Sequence, residues 1–276
     1  MARPDGGMVG RYEDPRHHHD AQWLENGNLL STACEAVPAE IASRVRGGDE
    51  RRDAADGVVQ GDVVVEVDRA GNVVWEWRSW EHLAPEDFPV HDIFDRRHWP
   101  LINGLYSTDD GLVLMSLRVT SGIIAVRRDT GEVAWHIGAD VLAQQHSPEL
   151  TPDGTVLAFD NGNIRKGVTS PHSRIVEVEP RTNRVVWQYV DPCAPSFFTP
   201  YMGGCQRLHN GNVLVCESAF GRLFEITPAG ETVWEYVIPF FDFYPDDVRP
   251  LADGLQNSAV IAYRYPKSRL PWLADP

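Results

Sequence analysis

The sequence predicts an all-β protein, a β-propeller of four-stranded blades. Two observations predict this class. Four segments of similar sequence each end in an apolar strand with a tryptophan, and these tryptophans lie 60, 52 and 47 residues apart. Each segment also contains two hairpin patterns, in which strands of alternating apolar and polar residues flank a tight turn. Four-stranded repeats of about this length are typical of propeller blades.

Each repeat predicts its strands in the same order. The first hairpins read AQWLENGNLLST, GLYSTDDGLVLMS, PELTPDGTVLAF and QRLHNGNVLVCE. The third strands and their turns read VVVEVDRAGN, IIAVRRDTGE, RIVEVEPRTN and RLFEITPAGE. The fourth strands read VVWEW (73–77), VAWHI (133–137), VVWQY (185–189) and TVWEY (232–236). We expect the tryptophans of these last strands to pack between blades, because large aromatic side chains bury well there.

The chain ends complete the predicted fold. The tail NSAVIAYRYP (257–266) predicts one or two strands, and the head MVGRYEDP (8–15) predicts one more. We therefore expect five blades, with six as the alternative, closed by strands from both termini so that no sheet edge stays open. Residues 1–276 form one domain in this interpretation. A polar insertion at 36–57, with at most one helix, separates the second and third strands of the first repeat.

Composition limits the classes of function. The formal charge is −15, and a protein so acidic lacks the basic face that nucleic acids require. No apolar run is long enough to predict a membrane span, and the first residues lack the apolar core of a secretory signal, so we expect a cytoplasmic protein. The four cysteines have no CxxC spacing, which favours reduced thiols. The oligomeric state is not predicted.

Aligning the repeats on the turn glycine of the first hairpin brings polar residues into equivalent positions. The glycines are Gly27, Gly111, Gly154 and Gly211. Eight residues before them stand His19, Asn103, His146 and Gly203. In a propeller this is where the chain enters the innermost strand beside the central channel. We expect His19, Asn103 and His146 to meet there.

A second set of positions follows the same glycines by seven residues, near the end of the second strand. It contains Cys34, Arg118, Asn161 and Ser218. Arg118 has apolar neighbours, and a cation in such a place is costly without an anion. The sequence leaves two interpretations open: Arg118 binds an anionic ligand, or it forms an ion pair with Asp160 or Glu217.

The histidines raise the question of a metal. A site could recruit His17, His19, His91, His98 and His146. No HxxE or other carboxylate spacing organises these residues as metal ligands. We therefore predict no metal.

Three segments together resemble a known family. HHDAQWLENGNLL, QHSPELTPDGTVLAFDNGN and GGCQRLHNGNVLVCESAFGRLFEITPAGETVWEY are similar to the bacterial arylsulfotransferases of the PAPS-independent, propeller type. The resemblance runs from about residue 17 to residue 266. It implies a ping-pong transfer of a sulfuryl group from an aryl sulfate to a phenol, with no nucleotide or other cofactor and a small, aromatic, anionic substrate.

The resemblance also implies residue roles. His146 would attack the sulfur and become transiently sulfated, while His18 or His19, Asn103 and Arg118 would hold the sulfate oxygens. We expect His146, His19 and Arg118 to be catalytic. We assign substrate binding to His18, Asn103, His98, Asn161 and Tyr106.

One motif departs from the family. Its usual DW-x-H-x-N string reads His98-Trp99-Pro100-Leu101-Ile102-Asn103 here, so Leu101 stands where the family has a histidine. Leucine cannot donate a proton or bind an oxyanion, and losing one such donor typically costs ~10²–10³ in rate. Two alternatives therefore stay open: acid–base catalysis by these histidines on another acidic or phenolic molecule, and ligand binding without catalysis.

Overall fold

The computed structural model describes residues 7, 11–245, 254–267 and 270. It contains four sheets of consecutive antiparallel strands, each beginning with the strand that the sequence predicts as innermost. The first sheet comprises β1 (His17–Trp23), β2 (Leu29–Ala36), β3 (Gln60–Val67) and β4 (Val73–Arg78), with β5 (His98–Trp99) parallel to β3. The second comprises β6 (Ile102–Ser107), β7 (Leu112–Leu117), β8 (Gly122–Arg127) and β9 (Val133–Ile137).

The other two sheets repeat this order. The third comprises β10 (His146–Leu150), β11 (Val156–Asp160), β12 (Arg174–Glu179) and β13 (Arg184–Tyr189). The fourth comprises β14 (Gly204–Arg207), β15 (Val213–Glu217), β16 (Arg222–Ile226) and β17 (Thr232–Val237). The four predicted blades are thus confirmed as four-stranded sheets. No helix in the described part of the chain is long and apolar enough to cross a membrane.

The core lies along the middle strands. β3, β7 and β11 are almost entirely buried. The second and third sheets each pack against two neighbouring sheets, whereas the first sheet packs against the second and against residues of the insertion, among them Val37 and Val45. The segment 36–57 between β2 and β3 carries a short helix, α1 (Ala39–Ala42), and a 3₁₀ turn (Glu50–Arg52). A second short helix, α2 (Ser79–His82), follows β4.

Closing-strand tryptophans join neighbouring blades, as expected. The Trp75 indole N–H donates to the Arg128 carbonyl (2.9 Å), and the Trp187 indole N–H donates to the Pro228 carbonyl (2.9 Å). Both acceptors belong to the next blade in the chain. Trp234 of β17 is 40% exposed.

The innermost strands are joined by side chains that accept backbone N–H groups of the following blade. Gln22 Oε1 of β1 accepts from Ser107 N of β6, and Glu149 Oε2 of β10 accepts from Arg207 N of β14, both at 2.9 Å. Gln22 and Glu149 each lie five residues before their turn glycine. These bonds bring the entrances of β1, β6, β10 and β14 to one end of the assembly.

The tail repeats this contact. Gln206, also five residues before its glycine, accepts from Arg264 N (2.8 Å) and donates to Arg264 O (3.2 Å). On its other side Tyr263 has a pKa raised by burial and then by Asp20 of β1. The tail therefore runs beside β14 in the position of a further innermost strand, with β1 nearby.

The predicted terminal strands need correction. Residues 257–266 carry no strand, because their contacts to β14 pass through side chains; the bridge nearby joins Asp242 to Gln256. Residues 11–15 of the predicted head strand are also without a strand, and residues 8–10 lie outside the described residues. The total number of blades and the closure of the ring stay predictions.

Candidate active site

Each innermost strand that carries a candidate residue is irregular where it enters the sheet. The pairing register shifts between His17 and Ala21 in β1, and between His146 and Glu149 in β10. His19 accordingly has a left-handed φ of 57°. Bulges re-aim side chains and are common beside active sites. Thr32 supports the β1 bulge, because its hydroxyl donates to the His18 carbonyl and accepts from Asp20 N.

His146 is buried, and its ring is hydrogen-bonded to Asn161. Its Nδ1 lies 2.7 Å from Asn161 Oδ1. The Asn161 amide nitrogen donates to the carbonyls of Thr199 (2.8 Å) and Met202 (2.6 Å), which fixes Oδ1 as the acceptor. Nδ1 of His146 therefore carries the proton. The lone pair of the neutral ring lies on Nε2, the atom that a nucleophilic imidazole uses.

The environment keeps His146 neutral. Burial, helped by the nearby cation of Arg118, lowers the pKa of His146 to about 4, although hydrogen bonds to Asn161 and to the Gln144 backbone oppose the shift. At neutral pH the ring is an uncharged base. A buried neutral imidazole with a fixed tautomer can act as a nucleophile without first losing a proton.

Arg118 has no carboxylate partner among the described residues. Its guanidinium stacks over the Phe94 ring at 5.2 Å. The two acids considered as ion-pair partners are engaged elsewhere: Asp160 binds Arg165 and Arg174, and Glu217 binds Arg222. The ion-pair interpretation is therefore wrong for this structure. Burial lowers the pKa of Arg118, so the site holds a partly desolvated cation.

A second cluster lies on the β1 side. The fully buried carboxylate of Asp62, on β3, has Oδ1 3.0 Å from His98 Nε2 and 3.2 Å from His18 Nε2. The backbone N–H groups of Leu101 and Ile102 donate to its two oxygens at 2.8 and 2.9 Å. Burial alone would raise the pKa of Asp62, but the charges and hydrogen bonds of His98 and His18 lower it.

His19 connects this cluster to the channel. Its Nδ1 lies 2.8 Å from Nδ1 of His18, and its side chain stays exposed to solvent. The surrounding protein nevertheless lowers the pKa of His19 to about 3, through partial burial, through the charges that His18 and His98 carry when protonated, and through the cation of Arg118. Arg118 lowers the pKa of both His19 and His146, so both imidazoles lie near one cation.

His18, His98 and Asp62 also offer donor atoms suited to a metal ion, all within 4.8 Å of one another. Every oxygen of the carboxylate already receives a backbone or imidazole hydrogen, so we interpret the cluster as hydrogen-bonded. The set considered from sequence is different and is not brought together: His17 binds Ser31 Oγ, and His91 accepts from Ile93 N. The absence of a metal stays a prediction.

The remaining candidates divide between two places. Asn103 lies beside His146, since its amide donates to the Gln145 carbonyl (2.9 Å), and its buried Oδ1 is left without a partner in the described structure. Tyr106 lies three residues further along β6, about 10 Å away at strand geometry. It lines a cavity of about 690 Å³ at the turn end of the blades, with Glu149, Trp187 and Arg207. The structure thus separates Tyr106 from the other candidates.

Comparison with known proteins assigns the chain. A family model described as arylsulfotransferase (ASST) matches residues 11–238. The chain belongs to the arylsulfotransferase family. None of the curated proteins searched matches the sequence.

Several solved structures are similar to this arylsulfotransferase-family chain at low identity. A protein of unknown function from Bacteroides caccae is 19% identical, with a TM-score of 0.45 over 67% of this chain and 58% of that one. A catalytically inactive virginiamycin B lyase from Staphylococcus aureus, solved with quinupristin, is 13% identical, with a TM-score of 0.47 over 87% and 62%. This chain thus spans about three fifths of the length of those structures, and we draw no functional argument from them.

Within the arylsulfotransferase-family site, sequence reasoning missed Asp62. A signal for it existed, since Asp62 opens the apolar strand QGDVVVEV and a carboxylate there needs several donors. Leu101 takes no part through its side chain, which packs against the core between the first two blades. Its backbone N–H instead binds Asp62. His18 and His98 therefore supply the ring nitrogens on this side of the site.

Proposed function

We propose that this arylsulfotransferase-family protein transfers a sulfuryl group from an aryl sulfate to a phenolic acceptor through His146. The observation that carries the proposal is the pairing of a neutral His146, with its lone pair on Nε2, and Arg118, a partly buried cation without a carboxylate partner among the described residues. A nucleophile beside an unmatched cation suits an anionic electrophile.

The proposed reaction has two halves. His146 Nε2 attacks sulfur, the S–O bond to the aryl group breaks, and its electron pair leaves on the phenolate oxygen. Arg118 and the Asn103 amide would hold the sulfuryl oxygens while charge spreads over them. A phenol then attacks sulfur, and the S–N bond returns its electrons to His146. Side chains alone act as nucleophile and hold the sulfuryl oxygens, so the proposed reaction includes no cofactor.

A direct test mixes the protein with p-nitrophenyl sulfate, with and without phenol. We expect nitrophenol release that phenol accelerates, and an added sulfuryl mass on the intact protein that phenol removes. His146→Ala should show neither, whereas His209→Ala, on an exposed turn of the fourth blade, should match wild type. A wild-type protein that releases no nitrophenol and gains no mass would contradict the proposal.

A second function has one observation in its favour. The His18–Asp62–His98 cluster is an acid–base arrangement that could act on a phenolic molecule without any covalent intermediate. In that case the anion held by Arg118 would be a carboxylate or phenolate of the substrate. The same experiment separates the two, because acid–base catalysis leaves the protein mass unchanged.

A further inference from the structure

We propose that Asp62, His98 and His18 form a hydrogen-bonded relay, anchored on the buried Asp62, that fixes the tautomer of His19 and leaves the His19 Nε2 lone pair free to take the acceptor's hydroxyl proton. This inference rests on the proposed function for its chemistry. The tautomer itself follows from contacts in the resting protein. Asp62, His98 and His18 are positioning residues in this scheme, and His19 is the catalytic base.

The proton positions follow step by step from Asp62. His18 Nε2 lies 3.2 Å from Asp62 Oδ1 and 3.2 Å from the Ala33 carbonyl oxygen, two acceptors, so this nitrogen carries a hydrogen. A neutral His18 then has its lone pair on Nδ1. That atom lies 2.8 Å from His19 Nδ1, which must therefore donate. The lone pair of His19 is left on Nε2.

His98 completes the relay from the other side. Its Nε2 donates to the same oxygen of Asp62 at 3.0 Å, and its ring packs edge-on against His18 with centroids 4.9 Å apart. With the backbone donors of Leu101 and Ile102, it holds the carboxylate in one orientation. Since Asp62 is inaccessible to solvent, water does not compete for this oxygen.

His19 is the member of the cluster that can meet a substrate. Its side chain is exposed, and it lies within the β1 bulge, where regular pairing with β2 is interrupted. The Arg118 cation lowers the pKa of both His19 and His146, so both bases lie near one cation. Their arrangements are alike, because in each ring a fixed acceptor takes Nδ1–H and leaves Nε2 unprotonated.

The step balances over one turnover. The phenolic oxygen attacks the sulfur on His146, the S–N bond breaks, and its electron pair stays on His146 Nε2. The hydroxyl proton moves to His19 Nε2 and gives an imidazolium. That proton passes to the leaving aryl oxygen in the next donor half-reaction, so no further reactant is needed.

The tautomer is tested by nitrogen-15 NMR of the histidine rings in the resting protein, which needs no activity. We expect His19 to carry its proton on Nδ1, and His18→Phe, which keeps a ring of similar size, to move it toward Nε2, the site a free neutral imidazole prefers. Asp62→Asn should act in the same direction if it folds. His17→Phe on the same strand is the control, because His17 bonds to Ser31 and Thr32 instead.

The NMR experiment can overturn the proposal in three ways. These are an Nε2–H tautomer of His19 in wild type, an unchanged His19 tautomer in His18→Phe, and a ring-nitrogen signature of a bound metal ion.

Steady-state and labelling kinetics give the second measurement. In His18→Phe, labelling by p-nitrophenyl sulfate should stay within a few-fold of wild type, since nitrophenolate leaves without a proton, while transfer to phenol should slow by ~10²-fold or more.

The two proposals fail differently. If no aryl sulfate labels the protein, the sulfuryl-transfer proposal is wrong. The NMR measurement still tests the His19 tautomer, because it needs no activity. If His146 is labelled and both half-reactions slow equally in His18→Phe, the proposed role of His19 is wrong and sulfuryl transfer survives.

Discussion

At the scale of single residues, the site combines neutral bases with one unmatched cation. His146 and His19 are both held uncharged at neutral pH, and Arg118 lies near both of them and stacks on the Phe94 ring. Neutral imidazoles are available as nucleophile and base. The cation is available to a substrate anion, because no described carboxylate neutralises it.

Replacing Arg118 separates function from stability. We expect Arg118→Met to lower kcat/KM for an aryl sulfate by ~10²-fold or more, since a group that holds developing charge is lost. The melting temperature should stay equal or rise, because an unpaired, partly buried cation costs free energy in the folded state. Steady-state kinetics and thermal unfolding measure both effects.

A suitable control is Arg128→Met. Arg128 also stacks on an aromatic ring, that of Trp75 at 5.1 Å, but it is paired with Glu66. We expect little change in kcat/KM and some loss of stability. A large loss of stability in Arg118→Met, with kcat/KM preserved, would argue that Arg118 is structural.

The pKa of His146 predicts how stability depends on pH. An unfolded histidine titrates near pH ~6.5, whereas folded His146 titrates at about 4. Between these values the unfolded chain binds more protons. The free energy of unfolding should therefore be highest above pH ~6.5 and fall as the pH drops toward 4.

Urea unfolding of wild type and His146→Asn at about pH 7 and pH 5 tests this sign. The variant should lose less stability than wild type on acidification, because asparagine does not titrate. The pKa of His19 is lowered as well, so His19 contributes to the loss of stability that remains in the variant. Equal losses in the two proteins would show that His146 is not held neutral.

At the scale of strands, bulges and strand ends place the functional atoms. His19 lies within the β1 bulge, His146 opens β10, and Asn161 follows the last residue of β11. The alternation of a regular strand would not bring these side chains to one point. The innermost strands are then held in register by side chains that bind the next blade.

The tail gives a prediction at this scale. Gln206 makes two hydrogen bonds to the backbone of Arg264, each worth about 1 kcal/mol when buried from competing water. We expect Gln206→Ala to loosen residues 257–266 and to accelerate amide hydrogen exchange at Arg264. His209→Ala on the same hairpin should leave this exchange rate unchanged. Unchanged exchange in Gln206→Ala would show that Ile261 and the Arg264–Glu225 ion pair suffice to hold the tail.

At the scale of the whole molecule, the tail packs against the innermost strand of the fourth blade. Ile261 contacts Gly204 so closely that a Cβ on that glycine would lie 2.7 Å from Ile261 Cγ1. Burial and, next, the charge of Asp20 in β1 raise the pKa of Tyr263. The segment therefore shields the β14 edge, which in an open sheet would be free to pair with other chains.

Deleting residues 254–276 should accordingly lower the melting temperature by several degrees, a change of about 1–2 kcal/mol for a chain of this size. It should also increase self-association, which light scattering during heating would detect. If the truncated protein melts like wild type and stays monodisperse, the tail contributes nothing to the assembly of the blades.

The sequence by itself determined the four blades and much of the site. Turn glycines and period-two strands set the sheets, because hairpins are local and need few distant contacts. Counting from those glycines found His19, Asn103, His146, Arg118 and Asn161, since equivalent positions of a repeat fall on one rim. The family followed from the same segments.

Only the tertiary structure decided what these residues can do. Asp62 joined the site through contacts with His18 and His98, which are 44 and 36 positions away in the sequence, and no local pattern reports such a meeting. The tautomers of His146 and His19 depend on which acceptors surround each ring. The unmatched charge of Arg118 depends on where Asp160 and Glu217 find their partners. The spacing of the sequence repeats determines which residues can be neighbours. Their proton positions depend instead on hydrogen-bond partners and burial, and both arise only once the blades have packed.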